Sequence, residues 1–168
     1  MRLLYALALI GIQTMAAVAQ VPDQFVGEWR LVSFLSTDSS GQLRPVWGTH
    51  PSGLIVYTRN GYVSAQLYDP GRRPLGQIAF AVLFAVAQPS FSGLYSYFGS
   101  VTVDTNAHLI SHHVQGAMAP DWVGGTLVRA YRFLGPDHLE LRVVTDAAGR
   151  ALPNGSVLMW ERATRPAR

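Results

Sequence analysis

The chain has 168 residues, of which 49% are hydrophobic and 14% are charged, and its formal net charge is +3. This length suits one domain with a single core, and the lack of any cysteine excludes disulfides, a thiolate nucleophile and a lipid-modified cysteine. All 13 basic residues are arginines, and their longest cluster is the pair Arg72-Arg73. Nucleic acid is therefore not an expected partner, because its phosphates require clustered basic side chains.

The N-terminus has the layout of a secretory signal. Arg2 precedes an apolar run over residues 3–12, and the small residues Ala17-Val18-Ala19 follow. The apolar run has about half of the ~20 residues that span a bilayer, so a membrane anchor is the less favoured alternative. We predict a signal peptide over residues 1–19, cleavage after Ala19, a secreted or periplasmic location, and one domain over residues 20–168.

From Gly27 onward, short runs rich in Val, Leu, Tyr and Trp alternate with turn signals, which is typical of an antiparallel barrel or sandwich. Asn60-Gly61 predicts a tight hairpin, since both residues tolerate positive φ. The turn signals separate nine predicted strands, over residues 27–36, 42–47, 54–58, 62–68, 100–104, 108–114, 126–134, 138–145 and 157–163.

A wholly apolar segment separates the fourth and fifth predicted strands. Residues 78–87 have the sequence IAFAVLFAVA, and a second segment runs from about Pro89 to Phe98. We predict one or two short helices here, because Pro89 suits a first helical turn and Ser90 can cap it. The apolar segment either packs over one barrel opening or forms a lid or a face that touches a membrane surface, and it is too short to span a bilayer.

Several blocks of sequence, in a fixed order, resemble those of one known family. Gly27-Glu28-Trp29 has the G-x-W pattern that opens the first strand of lipocalin-type barrels, where the Trp plugs the closed end. The blocks PSGLIVYT and NGYVSAQL, over residues 51–58 and 60–67, resemble the bacterial and fungal lipocalin-like domain family. Further similar blocks are Tyr95 to Asp104, His112 to Tyr131, and Trp160-Glu161-Arg162.

The resemblance implies an all-β, antiparallel calycin-type barrel of about 8–10 strands around a small-molecule cavity. Some fungal relatives belong to natural-product pathways and are thought to assist cyclisation or isomerisation. This chain departs from the family between Arg72 and Pro89, where relatives are more polar, so its cavity entrance is expected to differ. The resemblance also implies that Arg162 stacks on Trp29 to close the base of the barrel.

Alternation along the strand at 62–68 places Tyr62, Ser64 and Gln66 on one face and apolar residues on the other. Two assignments remain open for the polar face. It is either the solvent face, or it lines the barrel and its hydroxyls and amide orient a ligand.

His112 and His113 are adjacent on a strand and therefore point to opposite faces, which argues against a shared metal. We expect His112 to point inward, either as a satisfied structural histidine or as a proton shuttle or ligand donor. Arg129 and Tyr131 share a face of their strand, where Arg129 could pair with an anion or an enolate. Trp122, in the loop over residues 116–125, is either a stacking lid or a loop anchor.

The favoured function is that of an exported lipocalin-like protein that binds a small hydrophobic or aromatic molecule in a barrel cavity. One alternative is a cofactor-free isomerase or cyclase, with His112 as acid/base and Arg129 as charge stabiliser. Another is a membrane-surface or partner-binding module that acts through residues 78–87. We expect no cofactor and no metal, and a monomer or weak homo-oligomer. The candidate ligand-binding residues are Tyr57, Tyr62, Ser64, Gln66, Tyr97, His112, Trp122, Arg129 and Tyr131.

Overall fold

A computed structural model describes residues 21–72 and 93–163 of the chain. Within these two ranges, none of the helical structure is long and apolar enough to cross a membrane. The described elements are β1 (Gly27–Thr37), β2 (Leu43–Pro45), β3 (Ser52–Tyr57), β4 (Tyr62–Tyr68), β5 (Leu94–Asp104), β6 (Leu109–Ala117), a 3₁₀ turn (Pro120–Trp122), β7 (Thr126–Phe133), β8 (His138–Val143) and β9 (Val157–Arg162).

The first strand closes the sheet into a barrel. It pairs with β3 along its first residues, where Trp29 faces Ile55, and with β9 further on, where Phe34 faces Leu158. The strands from β3 to β9 pair antiparallel in chain order, so eight strands form a closed antiparallel barrel. The short β2 pairs only with the end of β1. The predicted all-β antiparallel barrel is therefore confirmed.

Two glycines permit a tight turn and a β-bulge in this barrel. Gly61 has φ +87° in the turn between β3 and β4, a conformation that glycine adopts without steric cost. Gly99 lies where the register of β5 against β6 shifts, and a Cβ there would lie 1.9 Å from the carbonyl oxygen of His113. Such a distance is sterically impossible, so the bulge requires glycine.

The strand β5 begins earlier than the sequence predicts. Residues 94–98, which we assigned to the end of a second helix, are strand and pair with β4, with Leu94 opposite Tyr68. That part of the helix prediction is wrong. Gly93, with φ +76°, does not continue a helix, and the aromatic residues of 94–98 suit a strand. The rest of the predicted helical region, including residues 78–87, lies outside the described residues, as do the predicted signal peptide and the C-terminal residues 164–168.

One end of the barrel is filled by the segment that precedes β1. Phe25 is fully buried and makes edge-to-face contacts with Tyr57 and Tyr131, at ring-centroid distances of 5.7 Å and 4.8 Å. The indole nitrogen of Trp29 donates a hydrogen bond to the Phe25 carbonyl oxygen at 2.8 Å. The Arg162 guanidinium lies over the Trp29 ring, 4.2 Å from its centroid. We call this the closed end, and any ligand must enter from elsewhere.

Candidate functional site

A cavity of about 240 Å³ lies inside the barrel, towards the end opposite the closed end. It is reached where β1, β4, β6 and β8 finish, since its wall includes Phe34 near the end of β1 and Val143 at the end of β8. Most of the wall is apolar or aromatic, as in small-molecule sites generally. The side chains that form it include Phe34, Ile55, Leu67, Tyr95, Trp122 and Trp160.

An aromatic stack forms part of this wall. Trp122, on the 3₁₀ turn between β6 and β7, stacks on Tyr95 with ring centroids 5.7 Å apart and planes inclined by 22°. Tyr95 in turn stacks on Trp47 at 5.4 Å. Trp122 also meets the edge of Tyr97. Trp122 therefore both anchors its loop and presents an aromatic surface to the cavity.

Arg129 brings a positive charge to the cavity wall. It lies on the inward face of β7, next to the buried Leu127 on that face. All ten acidic residues of the chain lie within residues 21–72 and 93–163, and the ion pairs found there involve other arginines. Its hydrogen bonds to the Val128 carbonyl oxygen, at 3.2 Å, and to the Tyr97 hydroxyl do not neutralise it, because neither acceptor is charged. Arg129 therefore lacks a carboxylate partner.

His112 lies behind the cavity wall and is held by two tyrosines. Its Nε2 lies 3.0 Å from the Tyr57 hydroxyl and its Nδ1 lies 2.8 Å from the Tyr97 hydroxyl. The imidazole is 0% exposed. Burial, and secondarily the charge of Arg129, hold the pKa of His112 well below its ordinary value, so the ring is neutral. His112 thus does not reach the cavity directly, which corrects its assignment as a residue that touches a ligand.

A neutral imidazole has one donor nitrogen and one acceptor nitrogen. If Nε2 carried the proton, the Tyr57 hydroxyl would accept from it, and its own O–H would have no acceptor among the described residues. If Nδ1 carries the proton, Tyr57 donates to Nε2 and the Nδ1–H donates to Tyr97, so the O–H left without a partner is that of Tyr97, which lines the cavity and can donate to water or a ligand there. Hydrogen-bond satisfaction therefore assigns the proton to Nδ1. Tyr97, which lines the cavity, keeps a free O–H.

Trp160 supplies a further hydrogen-bond donor to the cavity. Its side chain is 1% exposed and lines the cavity, and its indole nitrogen has no hydrogen-bond partner among the described residues. The sequence analysis did not identify Trp160 or Tyr95 as ligand-binding candidates. Alternation along β9 places Trp160 on the same face as Leu158, which was a usable signal.

The polar face of β4 points away from the cavity. Val63, Ala65 and Leu67 are buried, whereas Tyr62 is 51% exposed and Gln66 is also exposed. The small apolar side chains of β4 face the interior and its polar side chains face solvent. Of the two assignments for the polar face, the solvent face is therefore the correct one. This removes three of the candidate ligand-binding residues from the cavity: Tyr62, Ser64 and Gln66.

Tyr131 and Tyr57 point inward but lie towards the closed end. Tyr131 packs on Phe25 and lines a separate groove that also includes Gln24 and His108. Tyr57 contacts Phe25 and His112 and does not line the cavity. Of the nine candidates, the cavity wall contains three: Tyr97, Trp122 and Arg129.

One carboxylate also lines the cavity, and it is fully engaged. The Asp146 carboxylate accepts hydrogen bonds from the backbone and the side chain of Arg150, which lower the pKa of Asp146. Among residues 21–72 and 93–163, histidine and acidic side chains do not gather in a group of three that could hold a metal ion. The described wall therefore offers a ligand an aromatic surface together with donors from Arg129, Tyr97 and Trp160.

Comparison with known families identifies the family of this chain. The chain is similar to a redesigned β-barrel, with 14% identity, a TM-score of 0.38, and coverage of 84% of this chain and 93% of that one. It is also similar to a de novo designed fluorescence-activating β-barrel, with 15% identity, a TM-score of 0.42, and coverage of 83% and 94%. No curated protein matches. The model of the lipocalin-like domain matches residues 26–163, and this chain belongs to the lipocalin-like domain family.

Proposed function

We propose that this protein binds a small hydrophobic or aromatic molecule inside the barrel. The observation that carries this proposal is the cavity of about 240 Å³ with its mainly apolar and aromatic wall. An apolar cavity of about 150 Å³ already binds benzene in another protein. The present volume therefore suits a substituted single ring or a small fused pair of rings.

The binding experiment uses naphthalene as the probe and calorimetry as the measurement. Leu67 lines the cavity, whereas its neighbour Gln66 is exposed on the outer face of the same strand. We expect Leu67→Trp to fill the cavity and abolish binding, and Gln66→Trp to leave the affinity within about twofold. Failure of the original protein to bind naphthalene, or equal binding by both variants, would contradict the proposal.

A second variant covers the case in which Leu67→Trp does not fold. Leu127 also lines the cavity, and Leu127→Phe adds less volume. It should weaken naphthalene binding while the thermal unfolding transition remains cooperative. Native mass spectrometry of protein purified from its own source would add the identity of any molecule that stays bound.

We also propose that the protein is exported. The support is the order of Arg2, the apolar run over residues 3–12 and Ala17-Val18-Ala19. Mass spectrometry of the exported protein should find Gln20 at the N-terminus. An intact Met1 in that material would contradict cleavage.

A cofactor-free isomerase or cyclase is a second candidate, supported by Arg129 and Tyr97 facing one cavity. Solvent hydroxide would remove the α-proton, Arg129 and the Tyr97 O–H would stabilise the enolate oxygen, and solvent water would return a proton to the carbon and restore the hydroxide. His112 acts there only through Tyr97, so it is a positioning residue. Exchange of the α-hydrogens of phenylacetone for deuterium, followed by NMR, tests this function. Exchange that is no faster than in buffer would count against it. The alternative role of residues 78–87 at a membrane or partner lies outside the described residues and stays a prediction.

A further inference from the structure

Three polar side chains of the cavity wall have donor groups that hydrogen bonds among the described residues do not use up, even though Arg129 contacts Val128 and Tyr97. Arg129 carries a positive charge that no carboxylate within 21–72 and 93–163 neutralises, and those ranges contain every acidic residue of the chain. Trp160 has a buried indole N–H without an acceptor in the described part of the chain. Tyr97 keeps a free O–H once His112 donates to it. All three can therefore donate a hydrogen bond to a molecule in the cavity.

A buried donor without an acceptor destabilises the folded state, and the penalty is larger when the donor is charged. Folded proteins rarely keep several such groups in one place unless a ligand or water satisfies them. The acceptor that matches a guanidinium best is a carboxylate, through short charge-assisted hydrogen bonds. The aromatic stack of Tyr95 and Trp122 lines the same cavity and suits a planar apolar body.

We infer that the cavity selects aromatic carboxylates, with the carboxylate held by Arg129, Tyr97 and Trp160 and the ring held against the apolar wall. This inference rests on the proposed function and narrows its ligand to one chemical class. Asp146, the carboxylate that also lines the cavity, pairs with Arg150, which lowers its repulsion of such a ligand.

The test compares three probes of nearly equal shape by calorimetry: cinnamate, cinnamamide and trans-β-methylstyrene. A charge-assisted pair favours the carboxylate, so cinnamate should bind about tenfold more tightly than cinnamamide. Equal affinities for these two would overturn the inference. If trans-β-methylstyrene still bound in that case, the proposed function would stand and only the carboxylate inference would fail. If none of the three probes bound, the proposed function and the inference would both fail.

Substitutions test whether the named donors cause the preference for cinnamate over cinnamamide. Arg129→Met should bring the cinnamate-to-cinnamamide ratio close to one and leave trans-β-methylstyrene within about twofold. Arg132, on the opposite face of β7, is exposed and pairs with Glu140, so Arg132→Met is the matched control and should keep the ratio. An unchanged ratio in Arg129→Met would overturn the inference.

Two further variants keep the test decisive if Arg129→Met does not fold. Arg129→Lys retains the charge without the guanidinium fork and should keep part of the preference for cinnamate. Trp160→Phe removes the indole N–H donor together with part of the ring, and should weaken cinnamate binding by about threefold or more relative to trans-β-methylstyrene, which reports the effect of the added volume alone. A Trp160→Phe protein that binds cinnamate as well as the original would remove Trp160 from the site.

Discussion

The hydroxyl of Tyr57 lies 3.0 Å from Nε2 of His112, and both side chains are buried in the interior of the barrel. The hydroxyl of Tyr97 lies 2.8 Å from the other ring nitrogen of His112, Nδ1. These three residues come from β3, β5 and β6, which are distant in sequence and are brought together only by the sheet. His112 therefore supports Tyr97 from behind the cavity wall.

Tyr57→Phe should lower the free energy of unfolding by about 1–3 kcal/mol, because it leaves the buried Nε2 acceptor without a donor. Urea unfolding followed by tryptophan fluorescence measures the change. Tyr62→Phe is the matched control, since Tyr62 is 51% exposed and should change stability by less than about 0.5 kcal/mol. Equal effects of the two substitutions would contradict the buried hydrogen bond.

Stability should fall as the pH drops below about 6.5. His112 has a lowered pKa in the folded state, so the unfolded chain binds a proton near pH 6.5 that the folded chain does not. The resulting loss of folding free energy is absent above that pH and grows below it, by up to about 1.4 kcal/mol per pH unit. Burial lowers the pKa of His112 most, and the charges of Arg129 and His113 lower it further, whereas the two tyrosines that contact the ring, Tyr57 and Tyr97, have raised pKa values and stay neutral in this range.

Urea unfolding of the original protein and of His112→Gln at several values between about pH 5 and pH 7 measures this dependence. The amide keeps one donor and one acceptor but does not titrate, so its stability should vary less over this range. Equal slopes for the two proteins would show that His112 is not the titrating group.

Arg162→Met should destabilise the closed end by about 2–4 kcal/mol. The substitution removes the cation above the Trp29 ring, hydrogen bonds of 3.0 Å to the carbonyl oxygens of Val26 and Gln24, longer ones to Pro136, and the ion pair with Asp137. Thermal unfolding measures the loss, and Arg132→Met, which removes an exposed arginine, should cost less than about 1 kcal/mol. A loss no larger than that of the control would mean that the closed end does not depend on Arg162.

Arg129→Met should raise the free energy of unfolding of the unliganded protein by about 0.5–2 kcal/mol. A partly buried charge without a carboxylate partner opposes folding, and binding residues are commonly retained at the expense of stability. Chemical unfolding without ligand measures the gain. A clear loss of stability would show that the contacts of Arg129 with Val128 and Tyr97 outweigh the burial of its charge.

Hydrophobic alternation and turn chemistry predicted most of the strands. Asn60-Gly61 placed the hairpin between β3 and β4, and β4 has the predicted bounds Tyr62–Tyr68. The error at residues 94–98 arose because Pro89 and Ser90 suggested a helix start, whereas the pairing of this segment with β4 decides its conformation. Local propensity is weaker than a complete ladder of interstrand hydrogen bonds.

The candidate site was only partly predictable. Alternation divides β4 into two faces, but the sequence does not state which face the barrel encloses, and Tyr62 and Gln66 proved to be outside. Tyr131 points inward as its strand predicts, yet its position along the barrel axis places it against Phe25 rather than in the cavity. Depth along the axis depends on the register of neighbouring strands, which a single strand does not encode.

By itself, the sequence determined the class of the fold and the family, because period-two patterns, turns and ordered blocks are local properties of the chain. The tertiary structure decided which polar groups face one another. It buried His112 between two tyrosines, left Arg129 without a carboxylate, and brought Trp160 to the same cavity. Barrel closure through β1 and β9 sets these relationships, since it fixes the register and the interior face of every strand at once.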